Sequence, residues 1–164
     1  MSAMTTRGLI ALGALLIFGG INYSIFHKEN IKRNGEVIYM DLAPMDPRSL
    51  MQGDYMTLNF GLARQIEIGM NKGIDSPREG EIRYTQIALD EKRVATYKEA
   101  PDDKTIKLRY RMRGGRVWLG TNGFFFEEGK AALYDKARYG EFRLDRASGE
   151  AVLVGLCNDK LEAL

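Results

Sequence analysis

The stretch 105–119, TIKLRYRMRGGRVWL, decides the class of this fold. Ile106, Leu108, Tyr110 and Met112 alternate strictly with Lys107, Arg109, Arg111 and Arg113. A period of two puts the first set on one face of a strand and the second on the other. Gly114-Gly115 supplies the left-handed backbone that a tight hairpin turn requires, and Arg116-Val117-Trp118-Leu119 returns beside the first strand.

The same grammar extends outward. Residues 81–89 and 93–97 flank the short loop Asp90-Glu91-Lys92, and residues 141–144 and 151–156 flank Arg146-Ala147-Ser148-Gly149; both read as hairpins. Residues 36–43 and 55–60 read as strands, and Phe124-Phe125-Phe126-Glu127-Glu128 as another. Leu62–Met70 and Lys130–Ala137 read as two short helices. Asp46-Pro47-Arg48-Ser49 is a turn in which proline presets one dihedral and the aspartate bonds the backbone ahead. The expected class is α+β: a small, mostly antiparallel, β-rich domain over residues 36–164.

Upstream the character changes. Gly8–Phe26 reads GLIALGALLIFGGINYSIF, without a charge. At ~1.5 Å per residue such a helix nearly matches the ~30 Å hydrocarbon core of a bilayer. Residues 1–27 are therefore read as an N-terminal tail and transmembrane anchor, and 28–35 as a basic neck. A cleaved signal peptide would end in a small-x-small site, whereas this run exits through Asn22-Tyr23-Ser24-Ile25-Phe26. Gly13, Gly20 and Ser24 share one face of the helix, a pattern suited to close packing in a membrane. Flanking charges (Arg7 against Lys28, Lys32 and Arg33) do not orient it. The short tail before the apolar run, and a lone cysteine suited to an oxidising compartment, favour a domain outside the cytoplasm.

Of 164 residues one is histidine and one is cysteine, and the net charge is +2. An internal disulfide, multi-histidine or multi-cysteine metal sites, and a histidine-based triad within the domain are thereby excluded. No cofactor is expected. The near-neutral balance names no bulk polyanion, and single-stranded nucleic acid would want aromatics between the arginines, where Tyr110 instead faces the apolar side.

The segment 46–60, DPRSLMQGDYMTLNF, closely resembles an uncharacterised family of bacterial membrane-anchored proteins defined by a GDYxxLxY motif. Gly53, Asp54, Tyr55 and Leu58 match, and Phe60 stands where the motif ends in tyrosine. The blocks LAPMDPRSLMQGDYM, GTNGFFFEEG and ARYGEFR extend the likeness over most of the chain. The resemblance implies a single-pass protein of the bacterial inner membrane, acting with another, multi-spanning membrane protein, and implies no activity.

Three groups of residues are candidates for contact. Asp46, Pro47, Gly53, Asp54, Tyr55 and Leu58 either shape a turn and strand entry or line a partner groove. Lys107, Arg109, Arg111, Arg113 and Arg116 form either a solvated face or a patch for anionic lipid or an acidic partner. Phe124, Phe125 and Phe126 cannot all point inward on a strand, so one of them caps a loop or meets a membrane or partner. A competing reading follows from similarity to type I signal peptidases, which carry Ser-Met-x-Pro shortly before Gly-Asp. Here Pro44 holds the serine's place before Pro47, so a serine-lysine enzyme would need Ser49 paired in space with Lys92, Lys98 or Lys107. The residues favour a non-enzymatic interaction or assembly module.

Overall fold

The computed structural model describes residues 3–43, 55–70 and 78–164, with side chains from Arg7 onward. A first helix, α1 (Ala3–Asn34), is followed by β1 (Glu36–Asp41), β2 (Tyr55–Thr57), α2 (Gly61–Met70), β3 (Ile82–Leu89) and β4 (Ala95–Lys98). Then come β5 (Ile106–Arg113), β6 (Arg116–Trp118), β7 (Gly123–Phe125), α3 (Ala131–Tyr134), β8 (Tyr139–Leu144) and β9 (Ala151–Cys157). The class is α+β, with antiparallel sheets.

The strands form sheets of order β1-β8-β9, β4-β3-β5-β6 and β2-β7. Among the described residues, the two larger sheets are joined at two places. Tyr39 of β1 donates its N–H to Arg93 O at 2.9 Å, beside a parallel bridge to Val94. On the other side Arg109 N donates to Gly149 O at 2.7 Å, so the β8–β9 turn occupies the edge of β5 just before β6 begins. The core lies between them. Ile106, Leu108, Tyr110 and Met112 of β5 meet Ile38 and Met40 of β1, Leu62 and Ile66 of α2, and Phe142 and Leu144 of β8. The alternation of β5 is thus obeyed residue by residue.

The second half of the family-like motif belongs to this core. Leu58 is 2 % exposed, and the Phe60 ring packs edge-on against Phe142 at 5.2 Å between centroids. Phe60 is itself 5 % exposed, and phenylalanine fills the place without a hydroxyl that would need a partner.

One boundary differs from the sequence reading. The segment 28–35, expected as a neck, continues α1 as helix through Asn34. Ile31 on this extension is 3 % exposed, and Gly35 donates to Ile31 O at 2.7 Å to end the helix. The extension packs on β8 and β9. Burying an isoleucine stabilises by roughly 1.5–3 kcal/mol, enough to hold a segment that sequence pattern alone leaves polar. Upstream, α1 is long and apolar enough to cross a bilayer, and the domain covers none of that stretch.

Candidate functional site

A cavity lies where the end of α1 meets the sheets. About 690 Å³ in volume, it is lined by Ser24, His27 and Lys28 of α1, by Arg109, Arg111 and Trp118 of the β5–β6 hairpin, and by Phe125 and Glu150. Glu150 is the centre of its chemistry. Its carboxylate accepts from Lys28 Nζ at 2.9 Å, and Arg109 Nη2 lies 3.1 Å away and His27 Nε2 3.5 Å away.

The sequence 145–150, DRASGE, builds the support for that carboxylate. Asp145 accepts from the Ser148 hydroxyl at 2.6 Å and from the N–H of Ala147 at 3.1 Å. The Ser148 oxygen in turn accepts from Glu150 N at 3.2 Å. Gly149 adopts φ +73°, and a Cβ there would press on Lys107 O at 3.0 Å. Only glycine fits both the left-handed turn and the close approach to β5. The turn therefore delivers Glu150 to a set place beneath Lys28 and beside Arg109.

The Glu150 side chain is only 10 % exposed. Burial alone would raise its pKa, but the hydrogen bond and charge of Lys28, joined by Arg109 and His27, outweigh it and hold the carboxyl below its ordinary range. An ionised, clamped glutamate links the two ends of the chain across 122 positions of sequence. No sequence motif marks it; the only hint is an acidic residue directly after a Ser-Gly turn.

The basic face of β5 is not uniformly free. Arg109 is engaged with Glu150, Lys107 lies 4.9 Å over the Tyr84 ring, and Arg113 lies 5.4 Å over Trp118. Arg111 and Arg116 are exposed. Arg111 sits directly opposite Trp118 across the β5–β6 pair, so it shares the face that lines the cavity. Among the described residues, the buried indole N–H of Trp118 has no acceptor.

The three phenylalanines separate by alternation. Phe124 and Phe126 pack against Tyr134 at 5.2 and 5.0 Å between centroids, while Phe125 is 80 % exposed. Tyr55 of β2 stands opposite Phe125 with ring centroids 5.7 Å apart. Asp46, Pro47, Ser49, Gly53 and Asp54 lie outside the described residues. The potential lysine partners of Ser49 are dispersed: Lys92 and Lys98 are exposed at two ends of the β3–β4 hairpin, and Lys107 is on Tyr84.

A second cleft of about 780 Å³ lies on the other side of Trp118, beside Leu58 and Phe60, and is lined by Arg64, Arg113 and Arg116. Its carboxylate, Glu67, accepts from Val117 N at 2.8 Å. Among the described residues, no group of three His, Cys, Asp or Glu side chains is gathered as a metal site would need. Cys157 is buried, and burial, with the nearby Glu141 carboxylate, pushes its thiol up, away from the reactive thiolate.

No curated protein and no solved structure matches the chain. The family model described as GDYXXLXY protein matches residues 17–156, from within the apolar helix to the end of the last strand, and the chain belongs to that family.

Proposed function

We propose that the protein is a membrane-anchored interaction module of the bacterial inner membrane, with its domain outside the cytoplasm and a second membrane protein as partner. The observation that supports this most is the continuity of α1. One helix passes from an uncovered apolar stretch into a packed, ion-paired seat on the domain, with Ile31 and the Lys28–Glu150 pair on its last turns. Such a joint holds a domain at a set attitude over a bilayer, which a binding module needs and a freely tethered enzyme does not. The partner side of the module is its arginine-bearing surface, where Arg64 and Arg116 are exposed among polar and aromatic neighbours.

The test is made in native membranes. The full-length protein is expected to resist carbonate extraction and to crosslink to a membrane protein, and a chain lacking residues 1–27 should be recovered in the soluble fraction. Extraction of the full-length chain by carbonate would overturn the anchor. Alkaline phosphatase fused after Leu164 should be active, and an inactive fusion places the domain in the cytoplasm instead. Ser49→Ala should leave the crosslinked partner in place; a hydrolytic activity that vanishes with this change would give the protein to the serine-lysine class.

A further inference from the structure

We infer that the cavity between α1 and the β5–β6 hairpin is a headgroup site for an anionic phospholipid. The inference rests on the membrane reading of α1 and names a ligand for that same joint. Its first support is depth. Ser24 belongs to the last apolar turn of α1, and His27 and Lys28 to the first polar one, and all three line the cavity. Its mouth therefore stands where hydrocarbon gives way to headgroups.

Charge is the second support. Among the described residues, Lys28, Arg109 and Arg111 line the cavity against one carboxylate, Glu150, leaving a positive excess. Glu150 holds Lys28 and Arg109 in place, at 2.9 and 3.1 Å, so their remaining N–H groups are pre-positioned. Arg111 is exposed and has no ion-pair partner among the described residues, and a guanidinium can bind a phosphate through two parallel bonds. A volume of about 690 Å³ admits a glycerophosphate headgroup.

The apolar parts agree with this placement. Phe125, 80 % exposed and flanked by Tyr55, lines the same cavity, and an aromatic at the headgroup level is stabilised by the interface. Below the mouth, Gly13, Gly20 and Ser24 follow one another at helical spacing on the side of α1 that carries Ile31, leaving a smooth track for acyl chains.

Trp118 is the only tryptophan in the chain and lines the cavity directly across from Arg111. Full-length protein in lipid nanodiscs can thus be titrated with phosphatidylglycerol or phosphatidylcholine, each carrying a nitroxide near the headgroup, while Trp118 emission is followed. Labelled phosphatidylglycerol is expected to quench at a several-fold lower mole fraction than labelled phosphatidylcholine. Arg111→Gln should reduce that preference by about five-fold, the contribution of one basic residue at an anionic surface, and Arg111→Lys should keep most of it. Equal quenching by the two lipids in the unmodified protein, or a full preference in Arg111→Gln, overturns the site. Quenching by labelled phosphatidylglycerol that inorganic phosphate relieves would identify a free-anion site and overturn the lipid assignment. Carbonate resistance and the crosslinked partner are read separately, so loss of lipid preference with both intact removes the headgroup site alone.

Discussion

Along α1, Leu15, Ile17 and Phe26 are each more than half exposed, whereas Ile31, little more than one turn beyond Phe26, is 3 % exposed. The backbone is one helix throughout. Among the described residues the apolar stretch is left uncovered by the domain, and the polar stretch that follows is the part that packs. Hydrophobic content therefore misidentifies which end of this helix belongs to the fold. What decides is the single apolar residue set among Lys28, Glu29, Asn30, Lys32 and Arg33, together with one acidic residue far along the chain that meets Lys28.

The comparison is broken most directly at Ile31. Ile31→Ala should cost about 2–4 kcal/mol by removing buried volume, lowering the thermal midpoint in detergent by roughly 5–10 °C. Leu15→Ala, on the same helix and of similar size, should leave the midpoint of the domain in place. Equal effects of the two changes would mean that the seat of α1 carries no stability of its own.

A smaller effect is expected from Glu150→Gln, which removes the carboxylate shared by Lys28, Arg109 and His27. Lys28 is 57 % exposed, so water partly replaces what is lost, and the cost should be about 1 kcal/mol. The sign of its pH dependence is set by a folded-state pKa below the ordinary value of 4.5. The contribution is present above that ordinary value and is lost as pH falls through the depressed one. Acid titration of stability should accordingly show a limb below about pH 4.5 that is reduced in Glu150→Gln. Hydrogen exchange over residues 27–34 measures it locally, and an unchanged acid limb would remove Glu150 from the joint.

The least effect belongs to the exposed bases. Arg111, Arg113 and Arg116 changed together to Gln should shift the midpoint by no more than about 2 °C, since exposed charges contribute a few tenths of a kcal/mol each. Adding Arg109→Gln should produce a further, distinct drop because its guanidinium is held by Glu150. A large loss from the first three alone would show that this face is a network instead of a free surface.

Much of this was legible in the chain. The period-two pattern of 105–113, the Gly-Gly turn and the flanking hairpins correspond to β3, β4, β5, β6, β8 and β9 within a few residues. These are local signals, carried by alternation and turn chemistry. The helix expected over Lys130–Ala137 is confined to Ala131–Tyr134, where Tyr134 is held by Phe124 and Phe126. The site at the joint was less visible. Lys107, Arg109, Arg111 and Arg113 look equivalent as a row, and only the arrival of the β8–β9 turn at Arg109 makes one of them structural. That distinction depends on pairing across about 40 residues, which no local pattern encodes. The first half of the GDY motif, Gly53 and Asp54, lies outside the described residues, and its second half, Leu58 and Phe60, is spent on the core.

The absence of a break between residues 26 and 34 has a mechanical consequence. A flexible neck would decouple the attitude of the domain from the tilt of its apolar helix. Here the two are one lever. The 19 residues Gly8–Phe26 span about 28 Å, close to the thickness of an average hydrocarbon core. For such a helix set in a bilayer, thinning the membrane increases the tilt and thickening it brings the axis upright. Each change swings the domain through the same angle, lowering one flank toward the surface and lifting the other. Bilayer thickness would thus be converted into a choice of which face of the protein is offered to its neighbours.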